Sequence, residues 1–397
     1  MRKGVLFIGY DGMLEPLGQS QVLAYVERLA HDRPIHLLSF EKLEDWAQQA
    51  QRDEVAARIA RAGIHWHPRR YHKWPTALAT GWDIAVGIAT GLWVVLRHRV
   101  GIVHARSYVP AVMALAIKRL TGVNLVFDMR GFWADERVDG GLWPREGRMY
   151  RLAKWFERRF LLRADHVVSL THSAVHEMQS FDYLAGRMPP FTVIPTCADL
   201  AKFAPHEKPS GSFVLGYVGS AGTWYLFDAV VASFAQLQQL NPEARLLIIN
   251  RNDHDYVRAC LKAGNVSHGA VELRSATHSE VPAQIARMHA GVFFYKPSYS
   301  RAACAPTKLA EFLGCGIPCL SNQGVGDMAQ ILEVDRVGVA LSDLKPSSLR
   351  DGVSRLLDLA ADPSTSERCV ASAHRHFSLQ DGVDRYAQVY RSLDCAS

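Results

Sequence analysis

Three glycine-bearing loops, each following a short apolar run, gather the residues able to hold a polyanion. The first reads GYDGMLEPLGQSQVL (9–23), with Gly18 and Gln19 where a helix is expected to begin. Backbone N–H groups left free at a helix start suit a phosphate or a sugar oxygen, and a glycine lets the ligand come close. An ordinary strand-to-helix turn has the same pattern. The second, LGYVGSAGTWYLFD (215–228), presents Gly219, Ser220 and Thr223. It is not GxGxxG, and no acid follows where an NAD ribose would need one, which argues against a dehydrogenase. The third is the longest: FFYKPSYSRAACAPTKLAEFLGCGIPCLSNQGVGDM (293–328). Lys296 and Arg301 precede Thr307 and Lys308 at a helix start, so cations and backbone donors converge as a diphosphate requires. Glu311, one turn further on, is placed to accept hydrogen bonds from a ribose diol, and Asp327 opens the next helix after Gly324 and Gly326. The plain alternative makes Lys296 and Arg301 solvated loop charges.

A second group of polar residues stands at the ends of two apolar runs. IVHARSY (102–108) carries His104, and VFDMRGFWADE (126–136) carries Asp128, Arg130, Asp135 and Glu136. Arg130 suits a leaving phosphate or an anionic acceptor, while Asp128 or Glu136 suits an acceptor hydroxyl; His104 is a candidate for direct catalysis. An internal salt-bridge set and a structural histidine are the competing readings. The run Asp253-His254-Asp255 has the spacing of a metal-binding Asp-x-Asp. It follows an apolar run in an unsuitable context, and no other ligand cluster stands out, so no metal is expected.

The elements that must position these residues alternate throughout. Strand-like runs fall at 5–9, 35–40, 64–66, 101–105, 124–129, 166–170 and 191–195, and again at 213–220, 245–250, 271–275, 291–295, 318–322 and 337–341. Amphipathic segments such as 19–30, 111–120 and 305–314 lie between them, the signature of parallel α/β sheets. The expected architecture is two doubly wound Rossmann-like domains, 1–195 and 212–378, joined by a Pro-, Gly- and Ser-rich linker at 196–211. A last helix at 379–397 is expected to pack back toward the first domain. Ligands of such sheets bind beyond the carboxyl ends of the strands, and two facing domains would make a cleft for a two-substrate reaction.

Composition narrows the class. The chain has 397 residues, 48% hydrophobic and 21% charged, with a mean hydropathy of −0.05, which excludes disorder, collagen and coiled coil. The seven cysteines form no CxxC, and no disulfide framework or zinc site is read from them, pointing to a reducing compartment. The opening apolar run ends at Gly9 and Asp11, so it reads as a strand rather than a signal peptide, and a cytoplasmic location is expected. The net charge of +6 permits contact with phosphates or an anionic membrane, but no nucleic-acid motif is present. Two segments bear on membranes: 69–99 sets basic residues and tryptophans around an apolar helix, and 144–163 carries seven Arg or Lys against two Glu. Both suit the inner face of a cell membrane as peripheral contacts. They also suit a buried apolar stripe with a solvated basic face.

EPLGQSQVL, IVHARSY, VFDMRGFWADE, VIPTCADLAKF, GYVGS and, above all, PTKLAEFLGCGIPCLSNQGVGD resemble the retaining GT-B glycosyltransferases of family 4 over nearly the whole chain. The resemblance implies a GT-B fold, with an acceptor-binding first domain and a nucleotide-sugar-binding second domain. It implies transfer of a sugar with retention, onto a hydroxyl of a glycan or lipid-linked acceptor, without a metal or other cofactor. Glu311 then matches the ribose-binding second glutamate of the family's motif, and Gly18 the first-domain glycine near the donor diphosphate. Three positions depart: Ala303 stands where the first glutamate belongs, no Arg or Lys-Gly pair follows the Gly219 loop, and Arg130 replaces a histidine. These shift the expected phosphate contacts to Lys296 and Arg301. Two competing readings are a non-catalytic scaffold of a polysaccharide assembly complex and a sugar-nucleotide epimerase.

Overall fold

The computed structural model describes residues 3–207, 210–277 and 279–395. The chain divides into two compact units, one reaching to Pro195 and resuming at Gln380, the other running from Thr196 to Leu379. Each of the thirteen strand-like runs becomes a strand. In the first unit these are β1 (Gly4–Ile8), β2 (Ile35–Glu41), β3 (His65–Arg70), β4 (Val100–Arg106), β5 (Asn124–Asp128), β6 (His166–Ser169) and β7 (Phe191–Val193). They form one parallel sheet in the order β3-β2-β1-β4-β5-β6-β7. The second unit holds β8 (Val214–Val218), β9 (Arg245–Ile249), β10 (Val271–Arg274), β11 (Ala290–Val292), β12 (Cys319–Asn322) and β13 (Gly338–Leu341), ordered β10-β9-β8-β11-β12-β13. Central strands are buried along nearly their whole length, as expected when helices cover both faces of a parallel sheet.

Both strand orders reverse once, between β1 and β4 and between β8 and β11. At such a point the crossovers leave in opposite directions, so a crevice opens beyond the strand ends. In the first unit, register pairs Phe7 with His104, and Arg106 with Asp128, so the polar ends of β4 and β5 lie at that edge. In the second, the Gly219 loop leaves β8 and the segment containing Lys296 leaves β11.

The last helix, Leu379–Cys395, buries Val383, Tyr386, Ala387, Tyr390 and Leu393 at helical spacing. Its Arg385 donates to the Val193 carbonyl at 2.9 Å, and its Asp394 meets Arg33 at 3.2 Å. Residues 196–207, read from composition as linker, contribute Ala198 and Phe203 to the core of the second unit. An apolar ring in that stretch has more to gain from burial than from staying mobile.

Candidate active site

The first glycine loop differs from its sequence reading. The helical segment begins at Pro16, not at Gly18–Gln19, because proline's fixed φ and missing N–H suit the first helical position. A π-helical turn at Gln19–Leu23 follows. Gly18 is needed inside the loop itself: a Cβ there would lie 1.9 Å from the Gly12 carbonyl oxygen. Gln19 bonds the Leu14 carbonyl at 3.4 Å through its amide. The buried Glu41 carboxylate accepts from the N–H groups of Met13 at 2.9 Å and Leu14 at 3.3 Å, so a side chain already occupies these loop donors.

His104 and Asp128 come together, as neighbouring strands require, but both are sealed from solvent. His104 Nδ1 lies 2.6 Å from the Tyr390 hydroxyl, and its Nε2 lies 3.5 Å from Asp128 Oδ2. Tyr386 donates to Asp128 Oδ2 at 2.9 Å. Both tyrosines belong to the last helix, so the two residues assigned to catalysis from sequence are enclosed by a segment more than 250 positions away. Burial pushes the His104 imidazole below its ordinary pKa, with Asp128 opposing. Burial alone would raise the Asp128 carboxyl, yet Arg130, His104 and Arg106 hold it below its usual value.

Arg130, 3.8 Å from Asp128 Oδ1, and Arg106, 2.5 Å from Asp11, set two guanidinium groups around that carboxylate. Arg106 is buried and was not singled out from sequence, although it lies in the IVHARSY run. Glu136 is half-buried in the first turn of Trp133–Asp139. Its neighbour Asp135 is buried against Tyr150 at 2.8 Å and Lys154 at 3.0 Å.

In the second unit, Gly219 adopts φ 109°, a left-handed value that favours glycine. Asn250 donates to its carbonyl at 2.9 Å, and Asp253 Oδ2 accepts from the Ala221 N–H at 3.0 Å and from Asn250 at 3.1 Å. The first aspartate of the Asp-x-Asp run is thus a brace for the glycine turn. Ser220 and Thr223 are exposed on the turn, Thr223 with φ 55°, and the Ser220 carbonyl accepts from the Tyr217 hydroxyl.

Lys308 is the central finding. It sits in the first turn of the helix Thr307–Gly314 and is buried, with Nζ engaged by no hydrogen-bond partner. The ammonium lies 3.8 Å from the Tyr225 ring centroid and 5.0 Å from that of Tyr217, with Phe293 and Tyr295 behind. An added Cβ on Gly219 would stand 3.3 Å from Nζ. A cation therefore does reach the glycine turn, from a helix far along the chain rather than from the residues after Gly219. Burial lowers the Lys308 pKa to about 7, and burial raises that of Glu311 on the same helix to about 7. The aromatic ring of residues 217, 225, 293 and 295 reads as core in the sequence, and only its assembly around Nζ identifies it as a cation cage.

Arg301 is also buried, its guanidinium 4.7 Å over the Trp224 ring, and its carbonyl accepts from Gly326 N–H at 2.8 Å. That bond ties it to the turn ending in Asp327, at the N-cap of Met328–Val334. Lys296 is exposed, with its N–H bonded to the Trp224 carbonyl at 2.9 Å. Of the two cations assigned to phosphate from sequence, Arg301 is held rigidly and Lys296 stands in solvent. Thr307 is half-buried at the helix start, and Ala303 is buried.

Comparison with known proteins agrees with this architecture. The family model described as a glycosyl transferase 4-like domain matches residues 19–197. The fold is similar to that of sucrose-phosphate synthase from Thermosynechococcus elongatus (TM-score 0.74, 13% identity, all of both chains covered). It is also similar to a glycosyltransferase from Rickettsia africae (0.72, 11%, all of both chains). The third is the Anabaena HepE protein solved with UDP and glucose (0.69, 13%, 98% of this chain and all of that one). No curated protein matches the chain in sequence. Fold and domain match together define what is established: the chain has the GT-B fold, and its residues 19–197 match a glycosyl transferase 4-like domain. Family 4 fits the segment 19–197.

Proposed function

We propose that this protein is a glycosyltransferase, moving a sugar from a nucleotide diphosphate sugar to a hydroxyl of a glycan or lipid-linked acceptor, with retention and without a metal. The observation that carries the reading is Lys308, a buried ammonium without a hydrogen-bond partner, beside Gly219 at the β8/β11 switch point. An unpaired buried cation is costly, and an arriving diphosphate would supply the missing partner. The first-turn N–H groups of Thr307–Gly314 add donors of the same sign, and Arg301 adds a second buried cation. Together they supply countercharge that a metal would otherwise bring. Glu311, one turn along, suits the ribose diol. HepE, solved with UDP and glucose, makes uridine a first candidate base.

The chemistry follows from where charge grows. As the anomeric C–O bond breaks, its electron pair passes to the leaving diphosphate oxygen, and an oxocarbenium-like centre develops on the sugar. Preorganised donors at that oxygen lower the barrier, each by about 3 kcal/mol. The acceptor hydroxyl attacks the same face and gives its proton to the leaving phosphate, so no protein nucleophile is needed. In the first unit, Arg106 and Arg130 suit an anionic group on the acceptor. Asp128 and His104 act as positioning residues that hold Arg130 and the Tyr386 and Tyr390 hydroxyls in place.

Calorimetric titration of UDP, GDP, ADP and dTDP into wild type and Glu311→Ala, with EDTA present, tests the reading. One nucleotide should bind, and the variant should weaken it at least tenfold, as loss of a charged hydrogen-bond acceptor predicts. Failure of all four to bind would overturn the donor site and favour the scaffold reading, which Ala303 also favours.

A further inference from the structure

The helix Thr76–His98 carries one face that the fold does not use. Ala79, Asp83, Gly87, Thr90, Gly91, Val94 and Val95 are buried, and this side packs on the sheet and on Tyr108–Thr121. Asp83 accepts from the Tyr10 hydroxyl at 2.8 Å and the His72 N–H at 3.0 Å, so the one acid of the helix faces inward. The opposite side is an unbroken apolar line: Trp74 (84% exposed) just before the helix, then Leu78 (75%), Trp82 (62%), Ala85, Ala89, Trp93 and Leu96 (71%). From Leu78 onward, steps of four, three, four, four and three keep these residues on one face of a 3.6-residue helix. Cations close both ends, with exposed Arg70 and Lys73 before the helix, exposed Arg97 in its last turn and exposed Arg99 just after it.

A second helix repeats the pattern. Met149, Leu152 and Trp155 are exposed along Arg148–Arg163, and Leu142 is exposed in the turn that precedes it. Arg145, Arg148, Arg151 and Arg158 are exposed among them, and the guanidinium of Arg159 lies 3.2 Å over the Trp155 ring. The connections β3 to β4, β4 to β5 and β5 to β6 all run the same way across the sheet, so right-handed crossovers place their helices on one face. Tyr108–Thr121 packs between the other two. The first turns of both apolar helices leave the carboxyl edge of the sheet, the edge that carries Arg106 and Arg130.

We propose that this face docks on an anionic lipid bilayer, with Trp74, Leu78, Trp82, Met149, Leu152 and Trp155 entering the headgroup boundary and the flanking arginines and Lys73 meeting lipid phosphates. The helix Thr76–His98 is long and apolar enough to cross a bilayer, but its inner side is a layer of the α/β domain, so it lies in the interface. Apolar area supplies insertion and the cations supply selectivity for negative charge, which separates a lipid surface from an uncharged protein partner. The inference stands independently of the sugar-transfer reading.

Co-sedimentation with phosphatidylcholine vesicles, with and without phosphatidylglycerol, tests it. Wild type should bind the anionic vesicles preferentially, with affinity falling as salt rises. Leu78→Ser/Trp82→Ser should bind at least tenfold more weakly, and Arg148→Gln/Arg151→Gln should lose about fivefold per cation removed. Brominated lipid should quench wild-type tryptophan fluorescence and quench the Trp82 variant less. All four positions are exposed, and circular dichroism and unchanged nucleotide binding confirm that the variants fold. Absence of vesicle binding by wild type, or equal binding by the stripe variant, overturns the proposal. So does a wild-type dimer that Leu78→Ser/Trp82→Ser converts to monomer, since a second copy would then cover the stripe.

Discussion

Replacing Lys308 by methionine should separate binding from stability in opposite directions. Holding this ammonium's pKa at about 7 rather than 10.5 corresponds to roughly 5 kcal/mol between its charged and neutral forms. At neutral pH the unfolded chain carries the proton and the folded chain only half retains it, so burial costs up to roughly 4 kcal/mol. Methionine fills nearly the same volume within Tyr217, Tyr225, Phe293 and Tyr295 and carries no charge. After the loss of cation–π attraction, the variant should be more stable than wild type by ~1–3 kcal/mol in urea titration. Its nucleotide diphosphate affinity should fall about 10- to 150-fold, the worth of one charge-assisted hydrogen bond. A lysine with a depressed folded pKa makes the native state bind fewer protons than the unfolded state between about 7 and 10.5. This lysine's contribution to stability therefore rises with pH across that window, and the variant should lack it. At about pH 8, diphosphate binding should draw a proton onto Lys308, seen as a binding enthalpy that changes with buffer in wild type and not in the variant. A Lys308→Met protein that is less stable than wild type, or binds the nucleotide equally well, would refute the reasoning.

Other perturbations test the scaffold around the site. Asp253→Ala removes the acceptor of two hydrogen bonds that brace the Gly219 turn. It should lower stability by ~1–3 kcal/mol in denaturant titration, and a melting temperature that falls equally in wild type on adding EDTA would instead favour a metal there. Tyr386→Phe leaves the buried Asp128 carboxylate short of a donor; thermal unfolding should report a loss of ~1.5–3 kcal/mol. His36 and His67, 3.1 Å apart and flanked by His65, His98 and Arg69, are lowered to about 4, chiefly by burial. The unfolded chain protonates them first, so stability should fall as pH drops from about 6.5 toward 4. His36→Asn/His67→Asn should flatten that acid limb by ~1–2 kcal/mol after discounting for solvent access.

The strands were legible because each is a short apolar run bounded by glycine, proline or polar residues, a signal confined to a few neighbouring positions. The loops that end them were legible for the same reason, as were Gly219, Thr307, Lys308, Glu311, Asp128 and Arg130, which lie within a few residues of a strand end. The start of the first helix was misplaced because Pro16 outweighs the pull of Gly18, a local effect the pattern held but did not rank.

What escaped was partnership across the chain. Nothing near residue 308 announces that Tyr217, Tyr225, Phe293 and Tyr295 surround its ammonium, or that Gly219 lies beside it. Nothing near His104 and Asp128 announces Tyr386 and Tyr390. The 69–99 segment displayed its apolar and basic content in sequence, but which of its two faces the core would take was open until Asp83, Gly87 and Gly91 turned inward. Sequence by itself determined the order of elements, the fold class and the candidate residues, because hydrophobic period and turn chemistry are local. Only tertiary structure decided which of those residues are buried, paired or left with an unmet charge, because burial and electrostatic environment are set by groups that folding brings together from distant positions.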